Sequence, residues 1–547
     1  MKFKKLSNKN FCKRCRATHH CGLPAALVIF ILFFLFVNTL HAQTTSKQVK
    51  SRLSDYFINY KSDAYTSNDK IRIENLFVNN QTKSIRIILN DAFASQPFTP
   101  ESVDHIYAQT KENLPEEYQS YKINIFTSGT SIEELIPINI SSKWDSLRTY
   151  ITPIPEDHQW VTPMSLPYTI TQGLQGRHLC VWASHGRYFR NKTQEWVWQR
   201  PPLYCTTEDL FTQTIVIPYL IPMLENAGAV VFSPRERDWQ KNEVIVDNDT
   251  PKQNGIYAET TDGGKWNESG TGFARLKDIY FDFDTPFSDG TARKASTIQP
   301  GGKHSSVVWT PNIQADGEYA VYVSYKTLPN SINDANYTVI HQGSPTTFRV
   351  NQKMGGSTWV YLGTFYFNAG ESTNNCVILT NESLQDGVVT ADAVRFGGGM
   401  GNIARKTEKM LNPVLSGMPR FLEAARYSAQ WYGMPYEVYS AKEGVDDYGD
   451  DLNSRPRMLN YLSEGSFYNP GDSGLNVPIE LSLACHSDAG FRKENTHIGT
   501  LGVYTTKFYE GKTATGLSRL TSRDLTDMVI SSIKRDITTH FGQWNRR

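Results

Sequence analysis

The sequence predicts an α/β protein in which a mainly parallel-sheet domain is interrupted by an antiparallel β-sandwich and preceded by a small mixed α+β domain. Three observations predict it. Apolar runs that end in polar loops and lead into helical periodicity occur on both sides of the chain's middle. The middle changes to short alternating runs separated by Gly, Asn and Asp. The stretch 44–146 mixes strand-like and helical segments with neither rhythm dominating.

Residues 1–42 read as an export leader. Lys2, Lys4, Lys5, Lys9, Lys13, Arg14 and Arg16 precede an uncharged stretch from Cys21 to Leu40, and Leu40-His41-Ala42 supplies a small-residue exit. The same run, 21–40, approaches the length of a membrane span, so cleavage after Ala42 and retention as a signal anchor both stand. Either way the remainder is expected to be exported, to the periplasm or cell envelope. Removing residues 1–42 takes away seven positive and no negative charges, which moves the formal net charge from +1 to −6. Such a surface argues against nucleic acid as a partner. Cys12, Cys15 and Cys21 leave with the leader, and Cys180, Cys205, Cys376 and Cys485 are too few for a disulfide scaffold.

Taken in order, 44–146 holds two strands, KIRIENLFV and SIRIILN, a helix near 101–120 and a last strand, KINIFTS. Nothing there pairs a nucleophile with a base, so a structural or wall-contacting role is expected. The polar, Pro-containing stretch 147–174 reads as a linker. In 175–265, His178–Ala183 reads as a strand, Ser184-His185-Gly186 as the loop leaving it, and about Glu208 to Asn226 as a helix that Pro218 and Pro222 should kink or split. Gly228 stops that helix, and Ala229–Phe232 forms the next strand, ending at SPRERD. Strand, helix, strand is the unit of a parallel sheet.

Residues 266–397 break that rhythm with alternating runs at Glu318–Tyr325, Ala335–His341, Thr347–Val350, Trp359–Phe367, Cys376–Thr380 and Val388–Phe396, the pattern of a sandwich. From 398 to 547 the α/β pattern resumes, with a helix around 415–432 and strands at Tyr436–Ser440 and Ile479–Ala484. The simplest architecture is a β domain inserted at an exposed loop of its host.

Three residues far apart in sequence stand at the ends of these elements: His185 just beyond one strand, Glu208 at a helix start, and His486 just beyond a second strand. In an open α/β sheet such positions gather at the carboxyl edge. Two histidines and a carboxylate are a common zinc set that keeps one position for water. Each residue also has a plainer role: a loop histidine beside glycine, or an acidic residue favoured at a helix start by the helix dipole. Asp488 is placed to orient His486 or to cap a turn, and His497 is a reserve ligand. His178, His304 and His341 stay unassigned. Cys180, Cys205 and Cys485 lie close to the three candidates, with buried apolar thiols, thiolate ligands and one local disulfide as the alternatives.

The segments ASHGRY, TTEDL and LSLACHSDAG resemble those of the bacterial zinc-dependent N-acetylmuramoyl-L-alanine amidases, in which a strand ends in Gly-His-Gly, a Glu opens the next helix and a later strand ends in a Ser-x-His-Ala-Asx-like segment. The resemblance implies that His185, Glu208 and His486 hold Zn2+, that SPRERD matches a Thr-Arg-x-x-Asp stretch, and that Arg455 or Arg457 in NSRPRMLNYL matches a helical arginine. It implies hydrolysis of the amide between the muramyl lactyl group and L-alanine, with peptidoglycan or a muramyl peptide as partner. Ser184 stands where the family has Gly, and Cys485-His486-Ser487 departs from its usual wording. The family's general base is a Glu on a strand beyond a long Arg-containing helix. Ser522-Arg523-Asp524-Leu525 matches that helix, and Arg547 is reached before such a strand, so 398–547 reads as C-terminally incomplete and the catalytic residue is unassigned. Amidase activity is then expected of a full-length product that supplies the Glu, with Glu236 or Asp488 as substitutes here.

The segments GEYAVYVSY, STWVYLGTFYF and VVTADAVRF resemble the golvesin-type, xanthan-lyase-associated carbohydrate-binding-like domain, a pairing similar to amidase-like proteins exported by Bacteroidetes. This implies polysaccharide contact through the β segment. The competing expectation is a non-catalytic peptidoglycan- or polysaccharide-binding envelope protein, with Trp182, Trp196 and Trp198 offering ring faces near the site.

Overall fold

The computed structural model describes residues 47–62, 69–143, 145–149, 159–165, 170, 173–203, 205–487, 499–542 and 544. The leader, Asp488 and His497 lie outside them. The chain divides into two compact units, one made of Met1–Arg148, Arg492–Thr506 and Arg519–Arg547, the other of Thr149–Phe491 and Lys507–Ser518.

In the first unit Ile73–Asn79 pairs antiparallel with Ser84–Leu89, which pairs parallel with Lys122–Thr127. Ile85, Ile87 and Ile125 alternate inward and meet Val49, Leu53, Phe93 and Phe98 in one core. The helix Pro100–Glu112 starts at a reciprocal cap, Thr99 accepting from the Ser102 N–H and Ser102 accepting from that of Thr99. The helix Leu520–Phe541 belongs here too, which corrects the expected continuation of the second domain through 547. Its buried Arg523 donates to the carbonyls of Ala94, Gln96 and Leu135, and Asp524 pairs with buried Arg148. Those backbone acceptors, remote in sequence, decide the assignment.

The second unit contains a parallel sheet of three strands in the order Ile479–Cys485, His178–Ala183, Val230–Phe232. The expected mainly parallel sheet is therefore small, and antiparallel sheets dominate a mixed α/β molecule. The 208–226 segment runs Glu208–Phe211, Gln213–Ile215, Val216–Leu220 and Ile221–Asn226. It widens into a π-helical turn over Val216–Leu220 where Pro218 lacks its N–H, so the helix absorbs the proline by widening rather than by splitting.

The antiparallel sandwich joins three sheets. One runs Gly255–Glu259, Ser306–Ile313, Cys376–Thr380, Ala335–His341, Ser344–Val350, Val161–Pro163; a second runs Val244–Val246, Val394–Phe396, Gly317–Val323, Val360–Phe367; the third joins Asn267–Gly272, Gly290–Ser296 and Val388–Ala391. Trp309, Tyr325, Tyr337, Phe367 and Phe396 fill its core. Its limits are wider than the expected 266–397. Val161–Pro163 comes from the expected linker, and the fully buried Val244–Val246 comes from the preceding segment because its apolar side chains need cover on both faces. The expected strand Val388–Phe396 breaks at Asp392-Ala393, where the chain passes from one sheet to another.

Two expectations after 398 are corrected. The helix around 415–432 is a single turn, Arg420–Leu422, followed by a buried helix, Ala425–Trp431. Tyr436–Ser440 is a helical turn, Tyr436–Tyr439, whose aromatic and β-branched content suggested a strand but which packs against the helix Asp447–Ser463.

Candidate metal centre

The parallel register builds the site. Cys485 lies opposite Ala183, so both strands end at one level and release His486 and His185 at the same edge. Ser184 is locked beside Glu208: its N–H donates to Thr212 Oγ1 at 3.2 Å, and Thr212 Oγ1 donates to the Glu208 carbonyl at 3.0 Å. Gly186 follows because the chain at Glu423-Ala424 passes too close for any side chain, since a Cβ at this position would fall 2.4 Å from the Glu423 carbonyl carbon.

The ligand atoms of His185, Glu208 and His486 lie within 4.8 Å of one another. His486 Nδ1 is 2.8 Å and His185 Nδ1 3.9 Å from Glu208 Oε1, and the two rings meet edge-to-face with centroids 4.8 Å apart. Donors around a tetrahedral zinc with bonds of about 2.0–2.1 Å stand about 3.3 Å apart, so the two separations bracket what an ion needs. His185 Nδ1 is buried without a hydrogen-bond partner. Burial pushes the His185 pKa down to about 3 against the pull of Glu208, with Arg455 and His486 adding to the fall. The imidazole therefore keeps the neutral lone-pair form that coordinates metal. The His185 and Glu208 side chains are 2% and 1% exposed whereas that of His486 is 38% exposed, which leaves one open side. The residues fit a zinc ion.

A shell surrounds the three, of which only Arg455 was expected from the sequence; Asp209, Arg200, Gln199 and Asp451 were not. Asp209 accepts the backbone N–H groups of Gln199 (3.3 Å) and Arg200 (3.1 Å), and this places Arg200 Nε 3.5 Å from Glu208 Oε2. Gln199 donates to Asp451 at 2.6 Å, and Arg455 donates to the Ser184 carbonyl at 2.8 Å. Arg455, not Arg457, thus reaches the site; Arg457 donates to the Glu437 carbonyl. Asp209 is wholly buried, which its place in the first turn of a helix did not reveal in the sequence.

Other candidates fall elsewhere. Glu236 is held by Arg395 at 2.8 Å and by the hydroxyls of Tyr322 and Tyr432, so it anchors the sandwich. Arg235 donates to the Glu423 and Phe421 carbonyls. His178 accepts the Trp160 N–H, His341 bonds Thr346, and His304 lies 3.9 Å from Glu382. Among the described residues Cys180, Cys205, Cys376 and Cys485 are free thiols, and none joins the metal group. Trp196 is buried against Phe189 and Tyr427, and Trp198 lies under Arg187.

Residues 284–398 match the Golvesin C-terminal domain. A 93-residue stretch is 37% identical to the xanthan lyase of Bacillus sp. (strain GL1), covering 17% of this chain and 10% of that protein. Among solved structures, a Paenibacillus xanthan lyase is similar at 27% identity over 29% of this chain and 13% of its own, with a TM-score of 0.22. A C-terminal family 6 carbohydrate-binding module of LamC from Zobellia galactanivorans is similar at 10% identity over 28% of this chain and 99% of its own, with a TM-score of 0.18. The chain thus spans about a tenth of the length of the curated relative it matches. Residues 284–398, within the sandwich, are thus of the Golvesin C-terminal type, and a stretch of the chain is similar to part of xanthan lyase.

Proposed function

We propose that this chain is an exported cell-envelope protein whose His185, Glu208 and His486 bind Zn2+ for hydrolysis of the muramyl lactyl–L-alanine amide of peptidoglycan, with the golvesin-type sandwich contacting polysaccharide. One observation carries the zinc reading: three ligand types from three distant segments converge within 4.8 Å around a buried, unpartnered imidazole nitrogen. Zinc supplies Lewis-acid polarisation of an amide carbonyl and a nucleophilic water at neutral pH. This chain's own residues hold and orient: the His185 and His486 ring nitrogens would hold the ion, Glu208 offsets its charge, and Arg200 and Arg455 fix the loops that carry them. Among the described residues Asp451 and Asp209 are committed to backbone, Gln199 and Arg455 partners, so neither serves as the general base.

The sandwich's match to the Golvesin C-terminal domain favours a second reading, a non-catalytic peptidoglycan- or polysaccharide-binding protein. Metal analysis of the wild type and of His486→Ala, beside release of L-alanyl peptides from muramyl peptides with and without a chelator, separates the two. One zinc per wild-type chain, lost in the variant, together with chelator-sensitive release supports the enzyme. Retention on the glycan that survives alanine at both histidines, with no release, supports the binding protein. Absence of zinc from the wild type would sink the metal centre.

A further inference from the structure

The segment 276–284 carries Phe281-Asp282-Phe283 just ahead of the residues that match the Golvesin C-terminal domain. Its backbone is tied down on both sides of Phe283. Gln430 Nε2 donates to the carbonyls of Phe281 at 2.7 Å and Asp284 at 3.0 Å, and the Asp284 carboxylate accepts the Phe281 N–H at 2.7 Å. Between them Asp282 accepts from buried Arg426 at 2.8 Å and lies 3.2 Å from buried Arg405. The Tyr436 hydroxyl donates to Asp282 Oδ2 at 3.3 Å, which ties a second ring to the same anchor.

Within that frame Phe283 takes a φ of +73°, a conformation unfavourable for a bulky side chain. Its ring is nonetheless 69% exposed, and Phe281 beside it 48%. Burial therefore does not offset the strain. The ring instead lies flat on Tyr436, with centroids 3.8 Å apart and planes at 13°, whereas Tyr436 meets Tyr439 edge-to-face at 82°. One face of Phe283 is thus covered by Tyr436, and the exposure belongs to the opposite face. Backbone strain that surrounding bonds enforce, and that serves to hold a side chain out toward solvent, points to a binding element.

We propose that Phe283, backed by Tyr436, is a stacking platform for one pyranose ring of a gluco-configured glycan. The open aromatic face is the negative side of the ring's quadrupole and attracts the weakly positive C–H groups of a sugar. A pyranose whose substituents are all equatorial offers a flat C–H face of matching size. A quaternary cation is recognised by rings set around it as a cage, whereas these two rings are parallel and present a single plate. The Asp282 carboxylate, 21% exposed, and the Tyr436 hydroxyl lie beside the rings and accept from sugar hydroxyls. The platform lies outside the Golvesin-matched residues 284–398 and uses none of the candidate zinc ligands. It rests on the proposed polysaccharide contact only for the class of ligand.

The test uses the whole protein, with cellohexaose and the hexamer of N-acetylglucosamine as probes, read by isothermal titration calorimetry and saturation-transfer NMR. Saturable binding of at least one probe is expected, with transfer to its ring protons when the aromatic protons are irradiated. Phe283→Gly suits the positive φ, so it should fold as the wild type does, keep wild-type zinc content and lose affinity at least tenfold. Phe283→Tyr, which keeps the ring, should retain the affinity. Failure of the wild type to bind either probe at millimolar concentration overturns the platform. Wild-type affinity in Phe283→Gly overturns it too, and leaves the proposed sandwich contact standing. So does loss of self-association in Phe283→Gly, read by sedimentation, with sugar binding unchanged, which would assign the rings to a protein contact. Should Phe283→Gly not fold, Phe283→Asn, likewise tolerant of positive φ, decides in the same way.

Discussion

Replacing Gly186 by alanine tests how tightly the metal centre is positioned. An alanine Cβ would sit 2.4 Å from both the carbonyl carbon and oxygen of Glu423 and 2.7 Å from the Ala424 nitrogen. Ordinary contact needs about 3.5 Å or more, so one backbone must retreat by about 1 Å. The Glu423-Ala424 segment is not free to do so: Ala424 donates to the Arg187 carbonyl at 2.9 Å, Arg187 donates to the Leu422 carbonyl at 2.8 Å, and Arg235 holds the Glu423 carbonyl. The His185–Gly186 loop must move instead. Overpacking of this kind costs about 1–3 kcal/mol in stability. Metal ligation tolerates only about 0.2 Å, so the larger effect falls on zinc. We expect Gly186→Ala to weaken zinc by about 10- to 100-fold, the range seen when supporting residues of metal sites are lost. Competition against a chromophoric chelator reads the affinity, and circular dichroism confirms the fold. Wild-type zinc affinity in a folded Gly186→Ala protein would refute the claim that backbone proximity positions His185.

Other expectations follow from the same geometry. His486→Ala should lower zinc content from one equivalent to near zero by elemental analysis, with little loss of stability in the metal-free protein because this ring is the exposed member of the group. Arg395→Ala strands the fully buried Glu236 and should cost about 3–5 kcal/mol by denaturant unfolding, whereas joint replacement of Arg395 and Glu236 by apolar residues of like volume should cost much less; equal losses would contradict the pairing argument. The His185 pKa is lowered in the folded state, so between pH 6.5 and about 3 the unfolded chain binds more protons. Stability of the metal-free protein should be fully present above pH 6.5 and decline as pH falls toward 3, and His185→Gln should flatten that part of the melting profile.

Much of this architecture is legible in the linear chain because the relevant forces are local. Alternation at Ala335–His341 and Cys376–Thr380 marks half-buried strands, and His178–Ala183, followed by polar residues, marks a strand that delivers its loop to a sheet edge. The three candidate ligands were legible for the same reason, each standing at the end of an element. Tyr436–Tyr439 was not legible, since its residues suit a strand and only packing against Asp447–Ser463 makes the turn helical. The Gln199–Asp451 bond and the bond from Arg455 to the Ser184 carbonyl were equally hidden, because each joins residues more than 250 positions apart.

The amino-acid order by itself determined which segments of the sandwich alternate, and that two histidines and a glutamate sit at element ends. Only the tertiary structure decided that Cys485 and Ala183 share one register level, which brings those ends together. It also decided that Val161–Pro163 and Val244–Val246 complete the sandwich and that the helix Leu520–Phe541 belongs with the first unit. The physical reason is the same in each case. Periodicity reports which face of a segment is apolar, whereas the partner of that face is chosen by hydrogen-bond registers and buried charges contributed from distant parts of the chain.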